Sequence, residues 1–75
     1  MDASAFLRKH GVEVCKQVAK RAGTSYEYFS QLAYGHRRPS AAMAQKLVEA
    51  SEELIKKPAE RLDFVSLLQP KRAAA

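Results

Sequence analysis

At 75 residues the chain has room for one small hydrophobic core, which excludes a multi-domain enzyme. Apolar residues are 47% of it and charged residues 28%, an ordinary globular balance, and a single Cys excludes an intrachain disulfide and fits a reducing compartment. Thirteen Lys and Arg against eight Asp and Glu leave a net charge of +5, which favours a polyanionic partner.

In chain order, Ala3, Phe6, Leu7 and His10 are spaced for one face of a short helix that Asp2 or Ser4 could cap and Gly11 could end. Val14, Val18 and Ala22, with Cys15 and Ala19 beside them, predict a second helix ended by Gly23. Thr24-Ser25-Tyr26-Glu27 reads as a capping box opening a third helix, with Phe29 and Leu32 buried and Gly35 closing it. His36-Arg37-Arg38-Pro39 is a loop, because Pro39 disfavours helical geometry at Arg38. Ser40 caps a fourth helix that runs by its period to about Lys56, unless Ser51 marks an earlier end.

Pro58 suits the first turn of a fifth helix over residues 58–68, carrying Leu62, Val65 and Leu68. The run 62–68 is apolar almost all round, so a β-strand there is an open alternative. Pro70 and the polyalanine end read as a frayed, disordered tail, residues 70–75, after a single domain of residues 1–69. No apolar run approaches the roughly 20 residues a spanning helix needs, and the opening, with Asp2, Arg8 and Lys9, is unlike a signal peptide. The expectation is no membrane association and a cytoplasmic protein.

Charge is unevenly placed. Residues 1–39 hold seven basic residues against three acidic, a balance of +4, whereas residues 40–69 hold four against five, a balance of −1. The positive field therefore belongs to the half that contains the segment 15–35, CKQVAKRAGTSYEYFSQLAYG, which reads as two short helices joined by a tight Gly-containing turn.

This segment resembles the Cro/repressor-type helix-turn-helix of phage and bacterial regulators. Ala19 matches the small residue midway along that family's first helix, and Gly23 matches the Gly that opens the turn four residues later. Val18 and Ala22 match the flanking apolar positions, Phe29 and Leu32 those of the second helix. Gly35, Arg37, Arg38, Pro39 and Ser40 reproduce a trailing pattern common in the family. Thr24 departs from it, standing where an aliphatic residue is usual. The resemblance covers roughly residues 12–50; residues 51–75 match no pattern. It implies an all-α bundle of four to five helices with a central helix-turn-helix, and a phage or prophage Cro-like repressor that occludes a promoter.

Physical reasoning gives a compatible picture. Ala19 and Gly23 are expected to be small because two helices cross closely there. At about 100° per residue, Tyr26, Ser30, Gln31 and Tyr34 fall within about 100° of Glu27, while Phe29 and Leu32 face away toward the core. One face of the second motif helix is thus polar and aromatic, and Ser25 stands at its start. Gln31 can pair bidentately with adenine, Glu27 can accept from cytosine N4, and Ser30 is short enough for close approach. Tyr26 suits a phosphate or a thymine methyl. Lys16 and Gln17, read as the start of the first motif helix, are expected to face phosphates with help from the helix N-terminus. His36, Arg37 and Arg38 are expected to grip the flanking phosphates.

The expected partners are double-stranded operator DNA and a second copy of the chain, at least on DNA, joined through residues 58–69. That expectation rests on Leu62, Phe64, Val65, Leu67 and Leu68, which exceed what one face of a short element can bury. One Cys and two scattered His supply no tetrahedral zinc set, and Cys15 with His10 lacks the context of a nucleophile, so neither metal, cofactor nor catalysis is expected. The expected location is the nucleoid of a bacterial host cell. The competing expectation is a protein-interaction module, an antitoxin or anti-activator that offers Tyr26, Tyr28 and Tyr34 to a protein groove.

Overall fold

The first helix opens at Asp2, whose carboxylate Oδ1 accepts the backbone N–H of Ala5 at 2.8 Å and so satisfies one of the free donors of the first turn. The computed structural model describes residues 1–68, and within them the architecture is all-α. α1 spans Ala3–Arg21, α2 Tyr26–Ala33, α3 Ala41–Leu54 and α4 Phe64–Leu68, with one 3₁₀ turn, Pro58–Glu60, before α4.

α1 is two helical runs set end to end. Gly11 separates them with φ +86° and ψ 173°, a conformation essentially reserved for glycine. The first run buries Ala3 and Phe6, the second Cys15, Val18 and Ala19. The second run ends in a left-handed cap: Gly23 N–H donates to the Lys20 carbonyl and Thr24 N–H to the Ala19 carbonyl, at 3.1 and 2.9 Å. Gly35 repeats this geometry after α2, where Gly35 N–H donates to Leu32 and His36 N–H to Gln31.

The expected capping box does not form, and the N-cap lies one residue later. Ser25, not Thr24, is the N-cap of α2, and its Oγ accepts from Tyr28 N–H, so Glu27 sits in the first turn and does not reach back as the fourth member of a box. Ser40 caps α3 as expected, accepting from Met43 N–H at 3.1 Å. α3 runs through Ser51 to Leu54 and buries Ala44, Leu47, Ala50 and Ser51.

The C-terminal segment corrects two expectations. A continuous helix over 58–68 does not form, and neither does the strand at 62–68. Arg61 is extended, and Asp63 starts a fresh turn by accepting Ser66 N–H on Oδ2 and Leu67 N–H on its carbonyl. Leu62 N–H donates to Ser51 Oγ and Asp63 N–H to the Met1 carbonyl, so these amides bond to a side chain and to the chain start, with no ladder partner. Gln69 and the tail 70–75 lie outside the described residues.

α1 is the hub, packing on both α2 and α3, while α3 carries α4. Phe6 and Phe29 meet edge to face with centroids 6.2 Å apart at the centre of this core. Fully burying such a ring contributes about 1.5–3 kcal/mol. The packing fixes α2 along one side only and leaves its opposite side to solvent.

Candidate nucleic-acid interface

The α1–α2 turn positions the candidate site. Ala19 is fully buried and Gly23 stands at φ +84°. The expected reason for Gly23 is corrected here, because a Cβ added to it would meet nothing within 4 Å. Gly23 serves backbone conformation and not close helix approach. Thr24 is half-buried, and the turn is closed by its backbone N–H, a bond that an aliphatic residue would make equally.

On α2, Phe29, Leu32 and Ala33 are buried, whereas Glu27, Gln31 and Tyr34 are exposed. The spacing i, i+4, i+7 places these three on one stripe. Tyr34 is 68% exposed, an open aromatic edge at the end of that stripe. Tyr26 and Ser30 are half-buried along its margins, and Tyr26 also packs against the core. Ser30 Oγ donates to the Glu27 carbonyl at 2.9 Å, which leaves its lone pairs as outward acceptors. Ser25 is exposed, with its oxygen engaged in capping and its O–H left to donate.

His36, Arg37 and Arg38 are exposed in the loop directly beyond α2. The loop is pinned at both ends: Gly35 and His36 are bonded back to α2, and Pro39 is buried. Its cations therefore stand next to the stripe. Arg38 has no hydrogen bond or ion pair among the described residues, and Arg37 lies over the Tyr28 ring with Cζ 5.4 Å from the centroid. From the sequence Tyr28 is expected only in the protein-interaction alternative, and its contact with Arg37 is not, because an aromatic nine residues before an arginine carries no local signal.

Lys16 and Gln17 fit the expectation less well. Both are exposed, but the second run of α1 begins right after Gly11, so they sit a full turn inside it and gain nothing from a helix N-terminus. Lys16 Nζ is also 3.7 Å from Glu13. Arg21, at the end of the same helix, is tied to Glu53 of α3 at 2.9 Å.

Cys15 is buried, and loss of solvation pushes its thiol up to about 11, so it stays protonated at neutral pH. His10 Nε2 is bonded to the Glu60 carbonyl at 2.8 Å, and its ring packs on Phe6. Among the described residues no group of three His, Cys, Asp or Glu is placed to hold a metal ion, and no helix is long and apolar enough to cross a membrane. Comparison with protein-family models, with curated proteins and with solved structures returned no match.

Proposed function

We propose that this chain binds double-stranded DNA sequence-specifically, with α2 as the recognition helix, and acts as a Cro-like repressor of phage or prophage type by occluding an operator. The observation that carries the reading is the exposed Glu27–Gln31–Tyr34 stripe flanked at once by the basic loop 36–38. Base edges are read by hydrogen-bonding groups on a helix, and phosphates are held by cations beside it. Gln31 is assigned to adenine and Glu27 to cytosine N4, with Ser25, Tyr26, Ser30 and Tyr34 around them. His36, Arg37 and Arg38 take the following phosphates, and Lys16 and Gln17 approach the backbone from α1.

The reading has the protein act as a two-fold dimer on DNA in a bacterial cytoplasm, with no catalytic step. Half-sites of such dimers lie about 10 bp apart on one face of the duplex. The apolar surface left open for a dimer contact is narrower than expected from the sequence. Leu62 and Leu67 belong to the protein's own core, Phe64 and Leu68 are half-buried, and Val65, 62% exposed, is the open apolar residue of α4.

One observation favours the protein-interaction reading, namely the exposed ring of Tyr34. Selection from random duplex DNA followed by a salt titration separates the two. The DNA reading expects an enriched palindromic site and a log K that falls by about 0.9 per log unit of salt for each phosphate neutralised. No enrichment, or binding indifferent to salt, would overturn it.

A further inference from the structure

The two loop arginines share an exposed loop but not a surrounding. Arg38 is unpartnered among the described residues, whereas Arg37 rests on Tyr28 at 5.4 Å. Tyr28 is itself fixed: its N–H is bonded to Ser25 Oγ in the first turn of α2, and its half-buried ring packs against the core. Arg37 makes no hydrogen bond or ion pair among the described residues, so its guanidinium N–H groups remain free for an anion while the ring limits where the side chain lies. A free arginine must instead give up rotamer freedom to make the same contact.

Resting on the DNA-binding reading, we infer that Tyr28 is a positioning residue that pre-orders Arg37 for a backbone phosphate. Tyr28 lies on the same helix as Gln31, one turn earlier. The cation is therefore held in register with the base-reading stripe, and a phosphate bound by Arg37 fixes where Gln31 falls along the groove. Arg38 adds charge without that register. Loss of Tyr28 consequently acts more on the chosen site than on random DNA, although the protein's charge is unchanged.

The test is a double-mutant cycle on the tightest duplex recovered by selection and on a random duplex of equal length. Tyr28→Leu is expected to weaken the selected duplex about two- to fivefold, the range of an exposed cation–π contact. Tyr28→Phe, which keeps the ring, is expected to bind as wild type. In an Arg37→Ala background the Tyr28→Leu loss should vanish; a loss that persists there undiminished overturns the positioning role while leaving DNA binding intact. Proton NMR of the free wild-type protein gives a second readout that no variant's folding can obscure. The Arg37 side-chain protons should be shifted upfield by the ring, and random-coil shifts would overturn the contact itself. A wild-type protein that enriches no duplex defeats the DNA reading and this inference together.

Discussion

Ser51 and Leu62 are joined through a hydroxyl that serves both directions at once. Ser51 Oγ accepts the Leu62 backbone N–H at 3.2 Å and donates to the Val48 carbonyl at 2.8 Å, inside a fully buried side chain. The extended stretch before α4 is thereby attached to α3 by a polar bond in the core. Ser51→Ala should leave the Leu62 N–H buried and unpaired, a cost of about 1–3 kcal/mol. A denaturant titration should show a lower midpoint with an unchanged slope.

Gly11 and Gly23 give a second expectation. Neither has a neighbour that a Cβ would strike, so alanine at either position tests backbone conformation alone. At Gly11, with ψ at 173°, Ala should cost about 1–3 kcal/mol and Asn should not rescue it. At Gly23, in a left-handed helix cap, Ala should cost about 1–2 kcal/mol and Asn should recover part of it. Thermal melts of the four variants read the difference.

Gln31 and Arg38 should separate reading from gripping. Gln31→Ala is expected to cost about 1–3 kcal/mol on the selected duplex and to relax preference at one base position. Arg38→Ala should weaken selected and random duplexes alike and reduce the salt slope by about one unit. Equal losses on both duplexes for Gln31→Ala would remove it from the base-reading set.

Val65 tests the dimer. Phe64 packs against the core, so charging it confounds folding with association, whereas Val65 is open. Val65→Asp should keep the wild-type melting temperature and lose cooperative filling of two half-sites. Retained cooperativity in an operator titration would place the dimer contact elsewhere.

Asp63 should give stability a pH dependence on the acid side. The Ser66 N–H bonded to its carboxylate holds Asp63 below the usual carboxylate range. A carboxyl lowered in the folded state stabilises it above the unfolded value of about 3.9, and that contribution is lost as pH falls through the folded value. Asp63→Ala should therefore flatten the fall in stability below about pH 4, measured by urea titration across that window.

What could be read from the sequence was mostly local. Asp2 and Ser40 as caps, the three glycines as helix ends, and the alternation of Phe29 and Leu32 with Glu27 and Gln31 depend on residues within one or two turns, where spacing alone carries the physics. Ser25 in place of Thr24 is the same signal misplaced by one hydroxyl. Residues 58–68 resisted reading because a short apolar run has no period to distinguish helix from strand. What decides it is remote: Ser51 and Met1 take up the amides of Leu62 and Asp63. The candidate interface was legible as a stripe on α2, but the unequal setting of Arg37 and Arg38 was not, since it arises only when the loop folds back over Tyr28.

The chain start is also bonded where α4 begins. The Met1 ammonium donates to the Arg61 carbonyl at 2.8 Å across 60 residues of sequence, and the Met1 carbonyl accepts from Asp63. Closing so long a loop in an unstructured chain is entropically unfavourable, and helices shorten the path that must be closed. This clasp is therefore expected to form after α1 and α3 have found one another and to open early when the fold loosens. Amide exchange at Asp63 consequently reports whether Met1 and the Arg61–Asp63 stretch are still docked, while the amides of the α1–α2 turn report the half that carries the candidate interface on its own.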